Sequence, residues 1–323
     1  MRDSEYIYAV ARIRVKEKSL LTDADIARLT EAGDEKAALQ WLTERGWGSG
    51  TAGASAGEVL AAEEAKNLKL LHELRVDDAV FSVLSYPQLY HNLKTAIKDV
   101  CTSEEHIGAY FRMDPWNREN LMRILRDQDY KKLPEAVREP VEKAYNAMLT
   151  TRDGQLCDSI VDRACLEAME KAGDEAKNDL LRDYCHSQVA IADIRVAVRA
   201  QATGKPLRFM LDAMAESCLI DVRRLAESAA KSREELLGFL SGHGYADAAE
   251  ALEQSPSAFE RWCDNRLIET IRPQKTKISS VGPVVAYYLG RENEIRTVRI
   301  ILTGKANGFG TEEIRERVRE MYG

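Results

Sequence analysis

Proline and glycine, the residues that most often interrupt helices, are scarce in this sequence. Its 323 residues include only 8 prolines and 19 glycines. The abundant Ala, Leu, Glu, Arg and Lys lose little side-chain freedom in a helix. Hydrophobic residues make up 45% of the chain, which is ordinary for a globular protein. The composition therefore predicts a folded chain in which helix dominates.

The spacings at which cysteine and histidine bind metals are also missing. No two cysteines stand in a C-x-x-C pair, and no two histidines are placed to share one face of a helix. We therefore expect reduced, mostly buried thiols and no metal site. The residues concerned are Cys101, Cys157, Cys165, Cys185, Cys218 and Cys263, together with His72, His91, His106, His186 and His243.

An excess of positive charge and a long apolar run are absent as well. The formal net charge of −7 argues against nucleic-acid binding, which needs clustered basic residues. Asp3 and Glu5 stand where a secretory signal carries positive charge. The longest mostly apolar stretches, 79–93 and 278–290, are shorter than the ~20 residues of a membrane-spanning helix. We expect a protein that stays inside the cell and has no direct membrane span.

Two Thr-Gly-Lys tripeptides, 203–205 and 303–305, resemble part of a phosphate-binding loop. That loop needs a glycine five positions before the second glycine and a Ser or Thr after the lysine. Those positions hold Arg199 and Arg299, and Pro206 and Ala306. We interpret each glycine as the end of a helix. The sequence predicts no catalytic residue and no cofactor site.

Apolar residues recur every three or four positions in several segments, as in amphipathic helices. One such stripe contains Ala61, Ala65, Leu68 and Leu71. Another consists of Val284, Tyr287, Tyr288, Ile295, Val298 and Leu302, with Pro283 suited to its first turn. No group of segments alternates with the period of a strand, so we predict an all-α fold. Segments 46–57 and 272–280 are predicted loops.

An internal repeat divides the chain. Residues 92–98 match residues 193–199 at a shift of 101, apolar on apolar and basic on basic. A third copy lies in 295–305 after a one-residue slip. A repeat of this length suggests a small domain present three times. We predict helical repeat domains at 1–104, 105–205 and 206–323.

The repeat places basic residues at equivalent positions, and two interpretations are open. In a cyclic arrangement of the domains they would form basic rings that bind acidic groups of a partner. They are also suited to ion pairs within a domain, as the spacing of Glu292 and Arg296 illustrates. The candidate interface residues are Lys94, Lys98, Arg195, Arg199, Arg296 and Arg299.

Four segments together resemble a known family. Residues 281–301 resemble the signature segment of the C subunits of V-type and A-type ATPases (ATP synthases), which are similar to the d subunit of eukaryotic V-ATPases. Segments 91–94 and 193–195 resemble the repeated helix of that family, and 8–14 resembles its N-terminal opening. Asp193 and Thr297 depart from the pattern, which favours Asn at both positions.

The resemblance implies both an architecture and a role. It implies three similar helical domains in a pseudo-threefold funnel. It also implies a non-catalytic rotor subunit on the cytoplasmic face of the membrane, attached through the proteolipid rotor ring. Such a protein binds the D and F subunits of the central stalk and transmits torque for ATP-linked proton or sodium transport. The alternative is a helical scaffold or adaptor unrelated to rotary motors.

Overall fold

The computed structural model describes residues 6–50, 53–102 and 106–323, apart from the side chain of Asp78. Within these ranges the secondary structure consists of sixteen α-helices and short 3-10 turns, without a strand. The predicted all-α fold is confirmed.

The chain forms two compact units. The first contains the residues up to Asp77, Lys177–Tyr184 and Gly244–Gly323. The second contains Asp78–Ala176 and Cys185–His243. The division into three repeat domains stays a prediction.

The first unit is built around one long helix, α15, on which side chains from four other helices converge. Leu29 of α2, Leu42 of α3 and Leu60 of α4 belong to the same buried cluster as residues of α15. The whole predicted stripe of α15 is buried, and Pro283 stands in its first turn, as expected. The helices are α1 (Ile7–Glu17), α2 (Asp23–Glu31), α3 (Glu35–Glu44), α4 (Ala56–Glu73), α13 (Ala246–Gln254), α14 (Pro256–Ile271), α15 (Gly282–Ala306) and α16 (Thr311–Arg317).

In the second unit, helix α5 packs on α6, α7 and α8, and α8 also packs on α7 and α10. Its core includes Leu93 and Ile97 of α5, Leu125 of α6 and Val161 of α8, all fully buried. The helices are α5 (Asp78–Thr102), α6 (Arg118–Arg126), α7 (Glu135–Thr151), α8 (Gly154–Asp174), α9 (Asp179–Ala202), α10 (Leu207–Ala213), α11 (Val222–Lys231) and α12 (Arg233–Gly242). The first residues of α9 belong to the first unit.

The two Thr-Gly-Lys tripeptides have different structures. Gly204 has a φ of +63° just after α9, which confirms the predicted helix end. The same prediction for Gly304 is wrong, because α15 continues to Ala306. A Cβ on Gly304 would lie 2.8 Å from Ile314 Cγ1, so this glycine allows α16 to pack closely. Lys305 donates to the carbonyls of Thr30 and Ala32, at the C-terminal end of α2.

The predicted loops are broadly confirmed. Among the described residues, the segment between α3 and α4 forms turns, with glycines 46, 48, 50 and 53 at positive φ, and α4 begins at Ala56 within the predicted range. Residues 51 and 52 lie outside the described ranges. The 272–280 segment opens with a 3-10 turn, Arg272–Thr276, and then continues without regular structure.

Three long helices, α5, α9 and α15, begin at residues 78, 179 and 282, and each carries a buried polar side chain that bonds to backbone. Asn92 donates to the carbonyls of Phe111 and Trp116, at 2.9 and 3.1 Å. Asp193 accepts from the backbone N–H of Ala215 at 3.1 Å, and Asn293 donates to the carbonyl of Glu320 at 2.9 Å. Each of these anchor residues, Asn92, Asp193 and Asn293, thus binds backbone about 20 to 30 residues further along the chain.

Asp193 is the one anchor residue that can ionise. Burial raises its pKa to about 8, although the Ala215 N–H opposes the shift. Between the ordinary Asp pKa and about 8, the folded state therefore holds a proton that the unfolded chain releases. Stability falls as pH rises through this range, by about 1.4 kcal/mol per pH unit.

We predict that Asp193→Asn removes this loss. In urea unfolding, the variant should gain stability over the natural protein as pH rises from 5 to 9, by a few kcal/mol in order of magnitude. The reciprocal change, Asn92→Asp, places a carboxyl at the equivalent buried position and should introduce a loss of the same sign. Parallel pH profiles for Asp193→Asn and the natural protein would contradict the prediction.

Candidate partner-binding surface

Four of the six candidate interface residues make ion pairs within their own units. The N–O distances are 2.8 Å for Lys94–Asp162, 2.7 Å for Lys98–Asp158, 3.2 Å for Arg296–Asp264 and 2.6 Å for Arg299–Glu64. Arg195 is half-buried and Arg199 is exposed. Only the Arg296–Asp264 pair lies within one of the predicted repeat domains, whereas each of the other three pairs joins residues of two of them. The basic ring stays a prediction.

The sequence spacing suggested that Arg296 pairs with Glu292, but the structure shows a different partner. Arg296 pairs with Asp264 of α14, while Glu292 accepts a hydrogen bond from Asn67 at 2.9 Å. Asp264 has a second partner in Arg319, at 2.8 Å. The Arg296 side chain is 52% exposed and its pair contributes about 0–1 kcal/mol, whereas the Asp264 and Arg319 side chains are each only 10% exposed.

A buried charge cluster joins α4 to α15. Arg291 donates to Glu63 and to Glu294, and the guanidinium carbon lies 4.4 Å from the centre of the Trp47 ring. Both carboxylates are buried. Glu63, Arg291 and Glu294 are called the Arg291 cluster below.

The chain around Glu63 is arranged to compensate its buried charge. Glu63 Oε1 accepts from the backbone N–H of Gly48 at 2.7 Å and from Lys66 Nζ at 2.6 Å. Lys66 also donates to the carbonyls of Gly46 and Gly48. The carboxylate is therefore bonded on both oxygens, as a buried ion must be.

The buried face of α4 differs from the apolar stripe that the sequence predicted. The predicted stripe of Ala61, Ala65, Leu68 and Leu71 is only partly buried, and Ala65 is exposed. The buried face carries Val59, Leu60, Glu63, Asn67, Leu70 and Leu71 instead. Hydrophobicity could not identify this face, because two of its six members, Glu63 and Asn67, are polar and have bonding partners on α15.

Burial shifts the pKa of two acids near Arg291, Glu294 and Glu292. Burial raises the pKa of Glu294 to about 7, while the Arg291 charge opposes the shift. Burial also raises the pKa of Glu292, and the hydrogen bond from Asn67 opposes it. The positive charge of Arg291 thus favours the ionised form of Glu294, whereas burial alone would favour the neutral form.

An open pocket of about 340 Å³ lies above this cluster in the first unit. Its polar lining has six cationic side chains and two acidic ones, so it carries net positive charge. The cations are Arg12, Lys16, Arg45, Lys66, Lys69 and Arg291, and the acids are Glu63 and Glu73. Such a lining favours the carboxylates of a partner over a neutral substrate.

The outer face of α1 borders the pocket and is apolar. Tyr8 and Val15 are 70% and 68% exposed, and Ile7 is 56% exposed. Arg14 holds the 272–280 segment next to this helix by donating to the carbonyls of Gln274 and Lys277. A basic pocket beside exposed apolar side chains is a surface suited to another protein.

We predict that Arg291→Met destabilises the protein by about 3–5 kcal/mol, because it leaves two buried carboxylates without their shared cation. The loss should shrink as pH falls below about 7 and Glu294 takes up a proton. Arg296→Met is the matched control and should cost about 0–1 kcal/mol, because the Arg296 side chain is half exposed and Asp264 keeps Arg319 as a partner. Urea unfolding measures both.

A triple variant that also removes the two negative charges distinguishes the effect of lost charge from the effect of lost packing. Adding Glu63→Gln and Glu294→Gln to Arg291→Met should recover much of the stability, because the uncompensated charges are gone. Equal costs for Arg291→Met and Arg296→Met would refute the importance of the Arg291 cluster.

The family model and the relatives that match this chain all describe C subunits of V-type or A-type ATPases or ATP synthases. The family model described as ATP synthase (C/AC39) subunit matches residues 9–317. The C subunit of the V-type sodium ATPase of Enterococcus hirae is 20% identical over 81% of both chains. The C subunit of the A-type ATP synthase of Methanocaldococcus jannaschii is 23% identical over 96% of this chain and 85% of its own. That of Halorubrum lacusprofundi is 24% identical over 95% of each. The chain belongs to the ATP synthase (C/AC39) subunit family.

Proposed function

We propose that this member of the ATP synthase (C/AC39) subunit family is a non-catalytic rotor component of a V-type or A-type ATPase. It couples the D and F subunits of the central stalk to the proteolipid ring in the membrane and transmits torque for ATP-linked proton or sodium transport. The observation that carries the proposal is the family match over residues 9–317, nearly the whole chain. The named relatives are the C subunits of such complexes.

The way the chain is built supports a mechanical role. A torque-transmitting part must resist deformation, and long helices packed along their length do so. Helices α5, α9 and α15 have 25, 24 and 25 residues, and the anchor residues bind returning backbone to each. We propose that these three helices mark three similar domains that surround the end of the stalk.

Attachment to the membrane would go through partners. None of the described helices is long and apolar enough to cross a bilayer. We propose that the protein lies on the cytoplasmic face of the membrane and contacts the rotor ring or the stalk through the basic pocket and the apolar face of α1. Carboxylates of the partner would enter the pocket, and its apolar side chains would cover Tyr8 and Val15.

The first test is purification of the tagged full-length chain from detergent-solubilised membranes of its source, followed by native mass spectrometry. We expect one copy per complex, together with the stalk proteins and the proteolipid ring. A Tyr8→Asp, Val15→Asp variant should lose the partner that covers α1 and keep its helical content. Recovery of the natural chain without stalk and ring proteins would favour the scaffold alternative.

A second test concerns the repeated basic positions. Arg195→Glu combined with Arg296→Glu should weaken binding to stalk or ring in a reconstitution assay, because acidic groups of the partner would meet like charge. Arg208→Glu combined with Arg223→Glu changes the net charge equally at two highly exposed arginines outside the repeat, and serves as control. Circular dichroism checks that both variants fold. Unchanged assembly of the first variant would exclude the basic ring.

A further inference from the structure

Three potential metal ligands meet in the second unit, although they are far apart in the sequence. Glu170 lies on α8, His186 on α9, and Cys218 in the segment between α10 and α11. One ligand atom from each residue lies within 4.8 Å of the other two. No spacing rule applied to the sequence could have grouped them, because each comes from a different element.

The imidazole and the carboxylate have the arrangement of two ligands rather than of a hydrogen-bonded pair. His186 Nδ1 and Glu170 Oε2 are 3.1 Å apart. Both atoms are buried, yet neither makes a hydrogen bond in the part of the chain that the structure describes. His186 is only 6% exposed, so an unbonded ring nitrogen there is costly. A cation between the two atoms would satisfy both.

Neighbouring groups hold these side chains in place. The backbone N–H of Cys218 donates to Glu170 Oε1 at 2.7 Å, which leaves Oε2 facing the imidazole. Asp174 Oδ1 lies 3.6 Å from His186 Nε2, on the other side of the ring. Metal-binding histidines commonly have a carboxylate at this second nitrogen.

Gly173 makes room for the imidazole. A Cβ at this position would lie 2.8 Å from His186 Cε1, and real Cβ atoms do not come so close. The glycine thus lets the ring lie directly against α8, next to Glu170.

We propose that Glu170, His186 and Cys218 form a binding site for a divalent transition metal, with Zn²⁺ the best match. Nitrogen, thiolate and carboxylate are the ligands that zinc takes in proteins. Ligands of a tetrahedral zinc site are separated by roughly 3.3–3.7 Å, given metal–ligand bonds of about 2.0–2.3 Å. The 3.1 Å between Nδ1 and Oε2 is close to this separation. Cys218 is exposed and needs to approach by about 1 Å, and water would complete the coordination.

The metal would act as a cross-link. It would tie the segment that carries Cys218 to both α8 and α9, because one ligand comes from each. The inference does not depend on the rotor function, since it rests only on these side chains. Binding of the metal and assembly with a rotary motor can each succeed or fail separately.

The test is Zn²⁺ binding to the purified full-length chain, measured by competition with a chromophoric chelator, and Co²⁺ substitution followed by absorption spectroscopy. We expect one Zn²⁺ per chain, a thiolate-to-cobalt charge-transfer band and a higher melting temperature with Zn²⁺. Asp174→Asn should weaken binding by no more than about 10-fold, because the exposed Asp174 carboxylate lies 3.6 Å from His186 Nε2.

Cys218→Ser should weaken Zn²⁺ binding more than Asp174→Asn and abolish the charge-transfer band. Cys218 is exposed, so this variant should melt at the same temperature as the natural chain when metal is absent. Cys101→Ser, at a half-buried thiol of the same unit, is the matched control and should bind Zn²⁺ normally. Equal affinity of the natural chain and Cys218→Ser, or no binding at micromolar Zn²⁺, would overturn the proposal.

Discussion

The first unit depends on the compensation of two buried carboxyl groups, Glu63 and Glu294, by the guanidinium of Arg291. Arg291 lies inside α15, between Glu63 and Glu294 and against Trp47. Because burying an ion costs several kcal/mol unless it is paired and hydrogen-bonded, the surrounding elements have little freedom. Helix α4 must present Glu63 to α15, and the loop before α4 must give the Gly48 N–H and two carbonyls to the same group of charges. The position of α4 on α15 is thus fixed by charge as well as by apolar packing.

The anchor residues impose a similar constraint on the long helices. A polar side chain that is buried in a helix needs a hydrogen-bonding partner, and returning backbone supplies one. Asn92 and Asn293 meet this need with a neutral amide, whereas Asp193 meets it with a group whose pKa is raised to about 8. The same solution on α5, α9 and α15 gives the sequence repeat a physical meaning, and it supports the proposed rigid role in torque transmission.

Surface ion pairs and the buried charge cluster of this protein differ in how much stability is lost when a charged group gives up its partner. Ion pairs such as Arg299–Glu64 lie close to solvent and hold their partners weakly, whereas the Arg291 cluster does not. The proposed rotor role would use this contrast, because contacts with stalk and ring would form during assembly while the helices of the protein stay in place. The proposed zinc site would add a further internal constraint, in the second unit, without using the partner-binding surface.

The sequence by itself determined the all-α class, the course of α15 from Pro283, the loop before α4, the helix end at Gly204 and the resemblance to the family. These features follow from local propensity and from periodicity within one segment. The tertiary structure decided the buried face of α4, the continuation of α15 through Gly304, the partner of Arg296 and the meeting of Glu170, His186 and Cys218. Each depends on groups distant in sequence, such as Glu63 and Arg291. Local patterns cannot show which polar residues are buried, because burial of a polar group is stable only where the fold supplies its partner.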